Sequence, residues 1–282
     1  MEQDTTQDDA FTFTQMVETI ADFIDVAFHY ILYLRGVYPR DTFQRRKAYG
    51  VGVWQSRHPG VRGYVRGVVE AIRGEMQRGI LQRITLIIKS ATTNAPLERF
   101  LFDISYMDLT PLPTEEARDT TVLLQAPSHR DIKLLFQAFL TKLSALETGL
   151  VDNDPDDDLT YAVAITCRDG TEPDLRPTVD YTSYEGNPST TEKQPIYHPP
   201  EGPSNWAPVT TSDGLHPSQF SATRPGSVIP KVGDSLPRRV EQVLPIKAIE
   251  TGIVDIGLMV QETTEKLTKL RAQSNEGDLH AW

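Results

Sequence analysis

Apolar residues recur at helical spacing in a long stretch near the start of the chain. The pattern begins at Phe13, where Thr12 and Gln15 can form a capping box, and ends at Arg35 and Gly36. Apolar side chains occupy most of the circumference of this helix. Because a helix that is apolar on nearly all sides has to be covered on nearly all sides, we expect it to be the central buried element of the fold.

Two further helices are predicted from the same kinds of sequence signal. Pro59 suits the first position of a second helix, which Gly79 closes, and Ser128 can cap a third helix that ends at Gly149. The third helix carries a continuous apolar stripe, which predicts a face buried in the core. The stretch between the first two helices, FQRRKAYGV and its neighbours, is interpreted as a basic loop.

Alternating and β-branched residues predict five strands, at residues 80–89, 97–104, 159–167, 240–250 and 253–261. The last two strands are joined by a tight turn at Glu250, Thr251 and Gly252. A lone two-stranded hairpin is at best marginally stable in water, so this closing hairpin is expected to dock on the main sheet. The predicted architecture is α+β, with three helices on one face of an antiparallel sheet.

Composition divides the chain into regions. Residues 1–10 are acidic and polar and are expected to be disordered, and residues 11–167 form the predicted core. Twelve of the twenty prolines fall in residues 168–239, a segment that cannot supply a core and is predicted to be a long tether around the domain. The closing hairpin occupies residues 240–262, and a charged, flexible tail is expected at residues 263–282.

The charge of the chain is unevenly distributed. The net charge is −11, yet residues 35–83 hold eleven basic and three acidic residues, a local charge of +8 that leaves −19 for the remainder. An acidic protein is not expected to wrap nucleic acid, so contact with DNA is predicted to be indirect. The basic segment leaves open a third interpretation, a direct DNA-binding module with salt-sensitive affinity.

No catalytic or metal-binding motif is found. The six histidines are scattered, the Asp-rich turn at 152–158 lacks the glycine and glutamate of an EF-hand, and Cys167 is interpreted as a structural thiol. One cysteine excludes an internal disulfide, and the first helix carries Glu18, Asp22 and Asp25, so it is not expected to span a membrane. We predict a non-enzymatic protein of the nucleus or cytoplasm, without a cofactor, whose tether and hairpin suit the capture of an extended peptide.

Two blocks of sequence carry a resemblance to a known family. The strings ILYLRGVYP, FQRRKAYGV and HPG at residues 31–60, and VLPIKAIETGIVDIGLMVQE at residues 243–262, resemble the HORMA domain and in particular the accessory, non-catalytic subunit of DNA polymerase zeta. The resemblance implies a HORMA fold whose C-terminal safety belt, here residues 168–262, closes over a peptide of the polymerase catalytic subunit. It also implies a second surface for the scaffolding Y-family polymerase of translesion synthesis, and a nuclear location.

The resemblance also assigns residues to these surfaces. The peptide-binding aromatic residues fall on Tyr38, Tyr64 and Trp206, although Tyr64 taken alone reads equally well as core. The surface for the scaffold polymerase would comprise Val243, Lys247, Gly257 and Met259.

Two departures and one alternative accompany the resemblance. Gly257 and Met259 stand where the family has glutamine and tyrosine, and Gln137 stands where relatives have an arginine used in pairing two HORMA domains, so homodimerisation is an open question. The alternative is a spindle-checkpoint or meiotic-axis HORMA regulator that clamps a different partner. The basic FQRRKAYGV string and the VLPIK block favour the DNA-repair branch.

Overall fold

The computed structural model describes residues 11–110, 112–121, 123, 127–173, 242–264 and 266–268. Most of the Pro-rich segment, with Trp206, therefore lies outside the described residues, as do residues 1–10. The helices are α1 (Phe13–Leu34), α2 (Pro59–Arg78), α3 (Glu115–Thr120), α4 (His129–Ser144) and α5 (Leu146–Gly149), with a 3-10 turn at Arg40–Thr42. The strands are β1 (Phe43–Ala48), β2 (Val51–Ser56), β3 (Leu81–Ser90), β4 (Pro96–Tyr106), β5 (Leu159–Cys167), β6 (Gln242–Ile249) and β7 (Val254–Glu262).

The predicted α+β architecture is confirmed. Five strands form one antiparallel sheet in the order β5-β3-β4-β7-β6, and the three long helices cover one face of it. Alternation along β4 directs Phe100, Phe102 and Ile104 into the core, where the ring centroid of Phe28 in α1 lies 5.7 Å from that of Phe102. The third predicted helix is interrupted at Ala145, so α4 and α5 replace one continuous helix.

Helix α1 is the central element, as its apolar circumference predicts. Fifteen of its 22 residues are buried. The capping box is present: the Gln15 amide donates to Thr12 Oγ1 at 3.2 Å, and the Thr12 amide donates to Gln15 Oε1 at 2.9 Å. Among the described residues no helix combines the length and apolarity needed to cross a membrane.

The interpretation of the basic stretch after α1 as a loop is wrong, because β1 and β2 form a separate two-stranded hairpin. Tyr49 and Gly50 connect the strands with φ angles of 49° and 86°, and two consecutive positive φ values are the geometry of the type I′ turn that fits hairpin twist. The hairpin covers the outer side of α1, where Trp54 stacks on Tyr33 with ring centroids 4.5 Å apart. Exposed basic residues in β1 hide the alternation that would otherwise predict this strand.

The closing hairpin docks on the main sheet, as predicted. Strand β7 pairs with β4 in antiparallel register from Glu98↔Glu262 to Tyr106↔Val254, and β6 pairs with β7 at the edge. Ile256, Leu258 and Val260 are buried beneath the helices. The C-terminal strands therefore complete a core that begins near the N-terminus.

Candidate functional site

The edge strand β5 is the most distinctive surface for binding an extended partner. Within the described residues β5 pairs with β3 on one side and with no strand on the other. An unpaired edge presents a row of backbone donors and acceptors to any chain that arrives in an extended conformation. Over its nine residues, β5 buries Ala164 alone, so the rest of the strand is partly accessible.

Tyr38 and Tyr64 converge beside this edge. The ring of Tyr161, in β5, lies 6.3 Å from the Tyr38 ring and 5.6 Å from the Tyr64 ring, and both pairs meet edge to face. All three tyrosines are half-buried. Burial raises the pKa of the Tyr38 hydroxyl above its ordinary value. We call Tyr38, Tyr64 and Tyr161 the tyrosine cluster.

The structure adds Tyr161 to the two tyrosines assigned by resemblance. Tyr161, Val163 and Ile165 alternate along β5, and each is paired across β3 with a buried residue that faces the helices. This alternation predicts that the three side chains share one face of β5. It does not indicate which residues of other elements contact that face. The third assigned aromatic residue, Trp206, lies outside the described residues, so its role stays a prediction.

The four residues assigned to the scaffold-polymerase surface lie at the opposite edge of the sheet. Val243 is 48% exposed on β6, while Met259 pairs with Pro245 and Gly257 pairs with Ala248. A register shift between Pro245 and Lys247 places Lys247 opposite Leu258, whose side chain is buried. Lys247 therefore lies opposite a residue that faces the core, whereas Val243, Gly257 and Met259 lie at positions that alternate with the core-facing ones. The use of all four residues as one interface remains a prediction.

Gly257 borders an open depression on the sheet. The depression has a volume of about 260 Å³. Three acidic residues, Asp103, Glu250 and Asp255, are among those that line it. No heavy atom lies within 4 Å of the position that a Cβ of Gly257 would occupy. Because position 257 is a glycine, the space beside it that a larger side chain would fill is open to a partner.

A buried network of ion pairs joins the end of α1, strand β4 and the C-terminal segment. Glu98 of β4 accepts hydrogen bonds from Arg35 at 2.6 and 2.8 Å and from Lys266 Nζ at 2.5 Å. Lys266 also donates to Glu262 at 2.7 Å, and both Arg35 and Lys266 donate to the carbonyl of Val151. The four charged side chains are at most 3% exposed and their formal charges cancel. We call Arg35, Glu98, Glu262 and Lys266 the buried ionic network.

Little in the described residues suggests catalysis. No group of three or more His, Cys, Asp or Glu side chains in this part of the chain is arranged to hold a metal ion. Burial, with a smaller contribution from Glu75, raises the pKa of Cys167, which disfavours the reactive thiolate. The accessible chemistry at the β5 edge is hydrogen bonding and aromatic contact.

Comparison with known proteins agrees with this fold. A family profile described as "HORMA domain" matches residues 17–194, which is more than half of the chain. The chain belongs to the HORMA domain family.

Particular relatives point to one branch of that family. The mitotic spindle assembly checkpoint protein MAD2B of Bos taurus is 31% identical over 158 residues, which cover 56% of this chain and 68% of the relative. The DNA polymerase zeta processivity subunit of Schizosaccharomyces pombe is 27% identical over 172 residues, covering 60% and 75%. The DNA polymerase zeta processivity subunit of Arabidopsis thaliana is 30% identical over 126 residues, covering 45% and 52%.

Solved structures show the same fold at low identity. A chain of the mitotic checkpoint complex superposes with a TM-score of 0.55 at 18% identity, covering 88% of this chain and 99% of that one. Caenorhabditis elegans HTP-2 bound to HTP-3 closure motif 1 gives a TM-score of 0.55 at 11% identity, covering 92% and 93%. At these identities the likeness supports the fold alone.

Proposed function

We propose that this protein is a non-catalytic adaptor that captures an extended peptide at the β5 edge. The observation that carries the proposal is an unpaired edge strand flanked by three convergent aromatic side chains, Tyr38, Tyr64 and Tyr161. Strand addition supplies main-chain hydrogen bonds, and a few desolvated aromatic residues supply most of the binding energy. The segment of residues 168–239, with Trp206, would close over the bound peptide as part of the safety belt.

The proposed peptide belongs to the catalytic subunit of DNA polymerase zeta. Support comes from the names of the similar proteins, two of which are DNA polymerase zeta processivity subunits. We further propose that Val243, Lys247, Gly257 and Met259, at the other edge of the sheet, bind a scaffolding Y-family polymerase. The two partners would then occupy opposite edges of one sheet, which allows both to bind in the nucleus during translesion synthesis.

A second candidate function is a checkpoint or chromosome-axis regulator that clamps a different peptide. It is favoured by the name of the MAD2B relatives, which refers to the mitotic spindle assembly checkpoint, and by the fold shared with HTP-2. Affinity purification of the tagged chain from its own cells, with a high-salt wash and mass spectrometry, separates the two functions. A B-family polymerase catalytic subunit supports the first function, and checkpoint or axis proteins in its absence support the second.

Substitution in the tyrosine cluster tests the binding site. We expect Tyr64→Ala and Tyr161→Ala each to weaken capture of the polymerase peptide by about 1 to 4 kcal/mol, the usual range for aromatic hot spots. Trp206→Ala should have a similar effect if the belt closes as proposed. Isothermal titration calorimetry measures the change, with Leu134→Ala, 52% exposed on α4, as a control outside the cluster.

Strand addition has its own signature in the peptide. N-methylation of successive peptide amides should abolish binding at every second position, because alternate amides of an added strand donate to the sheet edge. An affinity that is insensitive to N-methylation, or that depends on it without period two, contradicts strand addition. Unchanged affinity in both tyrosine variants contradicts the placement of the site.

A further inference from the structure

The β1–β2 hairpin concentrates positive charge on the surface. Arg45, Arg46 and Lys47 are consecutive and exposed on β1, and Arg57, also exposed, follows β2 at the base of the hairpin. None of these four side chains forms an ion pair with a carboxylate among the described residues. We call these four residues the cationic hairpin.

Three other arginines nearby in the sequence are paired with carboxylates. Arg40 pairs with Glu147, Arg73 pairs with Glu70, and Arg78 pairs with Glu75. Their charges are neutralised within the domain. In a chain with a net charge of −11, four cations without a carboxylate partner in the described part of the protein lie on one short hairpin, where they suit an external polyanion.

The hairpin carries no large hydrophobic side chain that is fully exposed. The large hydrophobic residues exposed in the described part of the chain are Leu134, Val151 and Val243, and none of them lies on the hairpin. Trp54 is occupied by stacking on Tyr33. Stable protein interfaces are built around desolvated apolar or aromatic groups, whereas phosphate-backbone contacts need arginine and lysine alone.

We propose that the cationic hairpin binds the phosphate backbone of double-stranded nucleic acid without sequence readout. Because Trp54 packs against α1, it does not stack on bases, so a duplex fits this surface better than a single strand. The remainder of the chain is acidic and repels phosphate, which orients the bound duplex toward the hairpin. The contact is direct, unlike the indirect contact expected from the net charge of the whole chain.

This surface is separate from the peptide site. The hairpin covers the outer side of α1, while the tyrosine cluster lies where α2 and the loop after α1 meet the β5 edge. A protein holding a polymerase peptide at β5 therefore keeps the hairpin available for DNA. The inference does not rest on the identity of the captured peptide.

Salt dependence provides the test. Fluorescence anisotropy of a labelled duplex of arbitrary sequence, titrated with the full chain between low and physiological salt, should give a slope of log K against log salt of about −3.6 for four phosphate contacts. Arg46→Gln with Lys47→Gln should reduce the magnitude of that slope by about 1.8 and weaken low-salt binding by about tenfold or more. No binding at low salt, or an unchanged slope, would overturn the proposal.

A matched double variant controls for net charge. Arg130→Gln with Lys133→Gln also removes one arginine and one lysine, here from exposed positions on α4, so it should leave the slope unchanged. An equal loss in both double variants would mean that overall charge, rather than the hairpin, governs binding. Circular dichroism and unimpaired peptide capture establish that each variant is folded.

Two further probes settle the class of polyanion. Polyglutamate of equal charge should compete poorly, because the proposal requires the spacing of phosphates along a duplex. Equal or better competition would assign the surface to an acidic protein segment and overturn the nucleic-acid proposal. Parallel titrations with duplex DNA, duplex RNA and single-stranded DNA identify the preferred backbone, and a preference for the single strand would contradict the duplex assignment.

Discussion

His29 is a polar residue in the middle of the most buried helix. It is 2% exposed, and its Nδ1 has no hydrogen-bond partner within the described part of the chain. Burial, assisted by the positive charge of Arg62, lowers the pKa of His29 to about 4. The imidazole is therefore neutral in the folded protein at physiological pH, whereas an unfolded histidine titrates near pH 6.5.

This difference predicts acid sensitivity. As pH falls below 6.5, His29 binds a proton in the unfolded chain. In the folded protein it does so only near pH 4. The free energy of unfolding should fall over that interval by up to about 3 kcal/mol from this residue. Burial raises the pKa of Asp25 and acts in the opposite direction, so the wild type alone does not isolate the effect.

The measurement is a set of urea unfolding curves between pH 7 and pH 4.5. We expect His29→Leu to lose less stability on acidification than the wild type, whatever its stability at pH 7. Parallel pH dependences in the two proteins would show that His29 does not contribute. Asp25 is unchanged in both proteins, so its contribution cancels in the comparison.

At the scale of elements, α2 shows how the end of a helix is fixed. Gly79 terminates the helix with a φ of 73°, and a Cβ at this position would lie 2.5 Å from Leu109 Cδ1. Gly63, in the same helix, has no heavy atom within 4 Å of its Cβ position. The two glycines therefore have different physical roles, one inside α2 and one at its C-terminal end.

Alanine at these two positions should have effects of opposite sign. Gly79→Ala should destabilise the protein by about 1 to 2 kcal/mol from left-handed backbone strain, with any displacement of Leu109 in addition. Gly63→Ala should stabilise it by about 0.5 to 1 kcal/mol, because alanine loses less backbone entropy in a helix. Thermal or urea unfolding measures both, and equal signs would contradict the assigned end of α2.

At the scale of the whole molecule, the buried ionic network fastens the C-terminal segment to the core. Arg35 ends α1, Glu98 lies on β4, and Glu262 and Lys266 follow in the C-terminal segment. Thr263 adds hydrogen bonds from its hydroxyl to the carbonyls of Pro96 and Leu97. Residues more than 200 positions apart in sequence thus share one buried site, and the pairing of β7 with β4 brings them together.

Removing one member of the network should loosen the closing hairpin. Lys266→Met leaves the buried carboxylate of Glu262 without its ion-pair partner, while Glu98 keeps Arg35, and breaking a buried pair in this way costs about 3 to 5 kcal/mol. Combining Lys266→Met with Glu262→Met should recover part of the loss, since no unpaired charge then remains. Hydrogen exchange should show faster exchange in β6 and β7 than in β3 for the single variant.

An exposed ion pair supplies the control. Arg40 and Glu147 pair at 2.9 Å with side chains 60% and 47% exposed, so Arg40→Gln should cost at most about 1 kcal/mol. A Lys266→Met variant no less stable than this control would show that the network does not hold the hairpin.

Most of the fold follows from local patterns. The spacing of apolar residues predicts α1, α2 and the five strands of the main sheet, and the instability of an isolated hairpin predicts that β6 and β7 dock. The β1–β2 hairpin is missed because its exposed Arg45, Arg46 and Lys47 obscure alternation, and its Tyr49 takes a positive φ that sequence rarely signals. The break at Ala145 is missed because the apolar stripe continues across it.

The amino-acid sequence by itself determined the identity of the helices, the alternation of the strands, the uneven distribution of charge and the two family strings. These properties depend on residues close together in the chain. Only the tertiary structure decided that Tyr161 joins Tyr38 and Tyr64, that Lys266 reaches Glu98, and that the cations of β1 pair with no carboxylate of the described residues. Such contacts depend on which distant segments pair, and strand pairing is set by the packing of the whole domain rather than by any single segment.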